Sequence, residues 1–284
     1  MELVFSILAS TIILMVFKSF PKWNINTFQA VVSYYFTAFI CGFLLFKSTV
    51  NGPLILQTLP IAMACGTLFI SLFVIMGLSA QNNGVSTTSV AVKMSMALSV
   101  ILVMGLAREW TGISHIAALC LAILGVFFVS RQTEASGVPR KTWMLLVLFF
   151  GSSALDVVLF TIHRFFMPKG MNDGFFSSLG FLMAGLLGLT FFILQWKRKK
   201  IEFDGKSWIA GIVLGIPNYF SIYLLMASYT SVDLPASKIL AIANLGVVIL
   251  STALGKFVFK ENFTIKRYLG FSFCLLSLLI LLFL

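Results

Sequence analysis

Lys93 lies in SVAVKMSMALSV (89–100), with apolar or small residues on both sides for about a membrane thickness. Hydrocarbon does not solvate an ammonium, so Lys93 must hold an anionic or electron-rich group, pair internally, or sit neutral. Asp156, in SSALDVVLF, is the one deep carboxylate. It is too short to snorkel, and it can pair with a lysine, relay a proton or bind a cationic group. Lys238, in DLPASKILAIANL (233–245), lies about four residues into its apolar stretch, shallow enough for its stem to reach the interface. Ser237, Asn244 and Ser251 recur every seven residues there, and Ser86, Ser89, Lys93 and Ala97 form a matching stripe around the first lysine. Asn218 and Tyr219 follow Pro217 in IPNYFSIY (216–223), where the missing backbone donor frees a carbonyl near mid-helix. Lys93, Lys238, Asp156, Asn218, Tyr219 and Asn244 are therefore the expected substrate-binding groups.

The elements that must position them follow from composition. Of 284 residues, 60% are hydrophobic and 10% charged, and mean hydropathy is +1.04. A soluble chain carries about 25% charged residues. This chain is expected to be all-α and integral to a lipid bilayer, with Met1–Phe17 as a first span. A span needs about 20 mainly apolar residues. Ten such stretches are expected, at 2–18, 25–46, 54–79, 84–106, 112–130, 142–165, 174–196, 207–230, 234–255 and 264–284. The net charge of +11 then reports membrane topology, not nucleic-acid binding.

Catalytic chemistry has little to stand on. There is no GxSxG, HExxH or phosphate-binding glycine loop, and the two histidines, His115 and His163, fall near helix ends. The four cysteines form no CxxC pair. No catalytic residue, metal or cofactor is expected. A channel would need rings of charge from an oligomer, and a membrane enzyme an acid or histidine cluster.

The two halves repeat a pattern. REWTGISH (108–115) and KENFTIKR (260–267) each precede a final apolar helix. Ala118 comes nine residues after Glu109, with Gly125 seven further on; Gly270 and Ser277 follow Glu261 at the same spacing. Small residues so placed let helices approach closely. Five helices per repeat is an odd number, so residues 1–130 and 142–284, joined by the linker 131–141, should be inverted repeats of the kind found in secondary transporters. The pattern resembles the EamA-like repeat of the drug/metabolite transporter superfamily. Ala118 and Ser277 stand where that repeat carries glycine, and its mid-helix prolines are missing, with Ser95 and Asn244 near those places. The resemblance implies a ten-helix exporter or exchanger in a bacterial inner (plasma) membrane. It would move a small polar, anionic or electron-rich metabolite by alternating access, as a monomer or weak homodimer. Lysines on the fourth and ninth helices are similar to those of the sugar-phosphate translocators.

Fourteen basic residues fall in the connections on one face and four on the other (Lys47, Arg108, Arg164, Lys169). The positive-inside rule makes the first face cytoplasmic and leaves both termini outside, opposite to the family's usual topology. Labelling of cysteines placed at Asn172 and Lys199 distinguishes the two orientations.

Overall fold

The computed structural model describes residues 1–46, 52–107, 112–130, 141–166, 173–231, 233–234 and 236–283. Glu109, most of the 131–141 linker and Asn172 lie outside them. The described residues form ten α-helices and no strand. These are α1 (Glu2–Ser19), α2 (Thr27–Phe46), α3 (Gly52–Asn83), α4 (Val85–Ala107), α5 (Ile113–Ser130), α6 (Thr142–Thr161), α7 (Asp173–Lys197), α8 (Gly205–Ser231), α9 (Ala236–Phe257) and α10 (Ile265–Phe283). Nine are long and apolar enough to cross a membrane. Their peptide groups are satisfied within each helix, which hydrocarbon demands. This is an integral membrane protein.

Most helix ends fall within a few residues of expectation. The helix α3 runs four residues past its expected end, to Asn83. Its polar last turns are held by side-chain bonds, with Ser79 Oγ 2.9 Å from Thr88 Oγ1 and Asn83 Nδ2 donating to Ser79 Oγ at 3.0 Å. A single residue, Gly84, then turns the chain into α4 with φ of +95°. A Cβ there would lie 2.7 Å from Glu261 Oε1, so conformation and space both require glycine. The helix α8 continues through Pro217. Gly215, two residues earlier, packs so closely on α2 that a Cβ would lie 2.7 Å from both the Tyr34 carbonyl and Thr37 Cβ. That contact braces the segment where the proline removes a backbone bond.

The chain divides into two compact units. The first holds Met1–Lys18, Ile75–Val157 and Ser221–Leu284. Here α5 packs on α10 and α4 on α9. At the α5–α10 seam the Ser277 hydroxyl donates to the Ala118 carbonyl at 2.7 Å. A Cβ on Gly125 would lie 2.9 Å from the Gly270 carbonyl, and one on Gly270 would lie 3.0 Å from the Gly125 carbonyl. Bare backbones in contact bring the two helices close enough for dispersion and weak hydrogen bonds to act along the seam. On the α4–α9 seam, Ser89 hydrogen-bonds Ser251 and Asn244 donates to Met96 Sδ at 2.9 Å, so these helices run antiparallel.

The second unit holds Ser19–Val74 and Val158–Phe220. Its main seam pairs α2 with α7, again antiparallel: Gly188 meets Val32, Gly185 meets Phe36 and Gly42 meets Ser178. Buried Gln29 ties α2 to the start of α8. Its Oε1 accepts from the Asp204 amide (3.0 Å) and Trp208 Nε1 (3.2 Å), and its own amide donates to the Glu202 carbonyl (2.8 Å).

Candidate functional site

Lys93 is the ninth residue of α4 and so lies about 12 Å along the helix from Val85, at 1.5 Å per residue. Its neighbours Val90, Ala91, Met94 and Ala97 are packed away, but Lys93 itself is only half-buried. Among the described residues its ammonium makes no hydrogen bond or ion pair. Asp156 lies on the interior stripe of α6, seven residues after Phe149 and three after Ser153, both buried. It nevertheless keeps an open surface. No ion pair joins Lys93 and Asp156 among the described residues.

The carboxylate is held from α4 by Ser99, whose Oγ lies 2.7 Å from Asp156 Oδ2. A hydroxyl bond to a carboxylate is stronger than one between neutral groups, and it fixes the acid's position relative to Lys93. The same Ser99 oxygen lies 3.0 Å from the Ser95 carbonyl one turn earlier. Ser99 was not among the expected site residues. Its i, i+4 spacing from Ser95 was the available signal.

The other expected residues are placed differently. Ser86 and Ser89 do not border open space; they are closed against Ser251 of α9. Asn244 is buried, with its amide on Met96. Lys238 is the third residue of α9 and half-buried. The α4–α9 register pairs Ser89 with Ser251 and Met96 with Asn244, each pair of numbers summing to 340. Continued along the helices, it sets Lys238 level with Leu102, nine residues or about 13 Å from Lys93. The geometry therefore separates the two lysines along the bundle. Asn218 and Tyr219 lie in the interior of the second unit, both buried, with Tyr219 against Gly42 of α2.

A second polar cluster surrounds the start of α4. Glu261 Oε1 accepts the Val85 amide at 2.6 Å, and Glu261 Oε2 pairs with Arg267 Nη2, also at 2.6 Å. Arg267 donates further to the Asn262 carbonyl (2.7 Å) and Thr87 Oγ1 (3.1 Å), with its guanidinium 4.3 Å from the Phe263 ring centre. Both charged side chains are almost wholly buried. The glutamate of the repeat motif thus has a structural post as an N-cap. Among the described residues no cluster of histidine, cysteine or acid could hold a metal.

No family model matches the chain. It is 29% identical over 283 residues to an uncharacterized protein of Haemophilus influenzae, covering 96% of this chain and 94% of that one. A solved structure described only as that of a protein shares the fold, with a TM-score of 0.56 at 14% identity, over 97% of this chain and 95% of the other.

Proposed function

We propose that this chain is a secondary transporter, an exporter or exchanger, that carries a small polar anionic metabolite across a bacterial inner membrane by alternating access. One observation carries the reading: an ammonium deep in a membrane helix, only half-buried and without a direct partner among the described residues. Leaving such a charge uncompensated costs about 3 kcal/mol or more. An arriving anion would remove that cost at the point where the chain has to change shape. Lys93 is then the anion-binding group, and Asp156, held by Ser99, sets its resting charge balance.

Two inverted five-helix repeats are part of the proposal, as is kinship with EamA-like drug/metabolite transporters. Three helix pairs that would be counterparts under such a repeat, α2–α7, α4–α9 and α5–α10, pack on each other. The contacts on each seam run antiparallel, as inverted copies must. The matched spacing of Ala118 and Gly125 with Gly270 and Ser277 falls on one of those seams, where all four touch the partner helix.

Purified protein in proteoliposomes should show saturable uptake of one member of a panel of small anions, stimulated by the same anion trapped inside. Lys93→Met should abolish that uptake while leaving the melting temperature nearly unchanged, because it removes a charge with no direct partner. Normal transport by this variant would sink the site. Failure to fold would make Lys93 a structural residue.

A further inference from the structure

The Ser99 hydroxyl has one hydrogen and two acceptors in reach, the Ser95 carbonyl at 3.0 Å and Asp156 Oδ2 at 2.7 Å. With Asp156 ionised, the hydrogen goes to the carboxylate and the carbonyl receives no hydroxyl bond. With Asp156 protonated, the carboxyl donates to Ser99 Oγ and the Ser99 hydrogen turns to Ser95, so both short contacts become hydrogen bonds. The site therefore has a complete bonding pattern for either protonation state, exchanged by one hydroxyl rotation. Lys93, six positions before Ser99, is the one charged residue of α4. The Glu261–Arg267 pair belongs to the opposite end of α4, at Val85 and Thr87.

We propose that Asp156 is the proton-carrying group of the transporter, and that a proton and an anion occupy the site together. The proton passes from water to a carboxylate oxygen of Asp156. The Lys93 ammonium, freed from that negative charge, takes the anion. The empty site then holds one positive and one negative charge, and the loaded site holds Lys93⁺, neutral Asp156 and a monoanion. Both are neutral, whereas anion without proton leaves one uncompensated negative charge in hydrocarbon, a cost of several kcal/mol. Charge balance alone would thus couple the two fluxes in one direction. The anion half of this scheme rests on the function proposed above; the proton site does not.

The test for the proton site needs no substrate. Infrared difference spectra of the full chain in lipid vesicles, wild type minus Asp156→Asn, are recorded from about pH 5 to about pH 9, the range in which buried carboxyls titrate. The expected result is a carboxylic C=O band that grows as pH falls and is missing in the variant. Ser99→Ala should shift that band by removing its hydrogen-bond partner, and Lys93→Met should carry it to higher pH by removing the positive charge. Absence of a titrating band, or a band indifferent to Ser99→Ala, overturns the proton site. Should the band titrate while no anion exchanges in proteoliposomes, the transport reading fails and the proton site stands. Should anions exchange with no titrating band, the reverse holds. A pH gradient should drive anion accumulation by wild type, and that accumulation should be lost in Asp156→Asn. Accumulation retained in Asp156→Asn overturns the coupling.

Discussion

The carboxylate of Glu261 accepts the amide of Val85 at 2.6 Å, so the connection between α9 and α10 caps the start of the helix that carries Lys93. The cap is itself held by Arg267, and neither charge reaches water. Desolvation makes such a pair a modest source of net stability, but a costly one to break. Glu261→Ala leaves a buried guanidinium unpaired and an α4 amide without its acceptor. The expected loss is about 3–5 kcal/mol, read as a lowered melting temperature in detergent. Glu261→Gln combined with Arg267→Met should recover much of it, and a double variant as unstable as Glu261→Ala would refute the pairing argument.

Gly84 is the joint between α3 and α4. Gly84→Ala forces a side chain into left-handed backbone and presses Cβ against the Glu261 carboxylate. The strain should cost about 1–3 kcal/mol. When Glu261→Ala is already present, the collision disappears and only the backbone strain stays. The melting-temperature drop caused by Gly84→Ala should therefore be smaller in that background than in wild type.

The α5–α10 seam has no room for larger residues. Gly125→Val places branched carbons where the Gly270 carbonyl and Cys274 already touch, so it should lower thermal stability more than Ser277→Ala. The serine change loses one interhelical hydrogen bond, worth about 0.6 kcal/mol between membrane helices. The opposite ranking would mean that the seam is loosely packed.

Outside the membrane spans, Asp204 precedes α8. Its carboxylate accepts from the Ser207 hydroxyl and from the Lys206 amide (3.1 Å). The Ser207 hydroxyl chiefly, helped by backbone amides and the Lys206 charge, holds the acid below its ordinary range. A carboxyl lowered on folding contributes stability above its unfolded value, near pH 4. That contribution is lost as pH falls through the lower folded value. Asp204→Ala should therefore lower the melting temperature at pH 7, and the two proteins should converge in acid. A difference that persists below about pH 3 would show that the cap does not depend on the carboxylate's charge.

The helices were legible because twenty-residue apolar runs leave little choice of structure. The end of α3 was not, since Ser79, Gln81, Asn82 and Asn83 look like a loop until Thr88 is seen to bond Ser79 across the Gly84 turn. Lys93 and Asp156 stood out as isolated charges in greasy surroundings. Ser99 did not, because a serine in a membrane helix usually bonds its own preceding turn, and the Ser95 carbonyl lies within reach of Ser99 too. The separation of Lys238 from Lys93 depended on the antiparallel register of α4 on α9, which helix lengths do not reveal. Glu261 was visible as a motif residue, but its role needed the fold: the amide it caps is 176 positions away in the chain.

The pairing of α5 with α10 has a consequence for biogenesis. The carbonyl of Ala118 and the bare face of Gly125 enter the bilayer early in synthesis, and their partners on α10 follow only after α6 through α9 have been threaded in. Throughout that interval the ribosome-bound intermediate presents an adhesive ridge of small residues to every passing helix. Nascent chains of this architecture should lean on insertion chaperones that shield such ridges. A stalled product lacking Ile265–Phe283 should be recognised and cleared by membrane proteases.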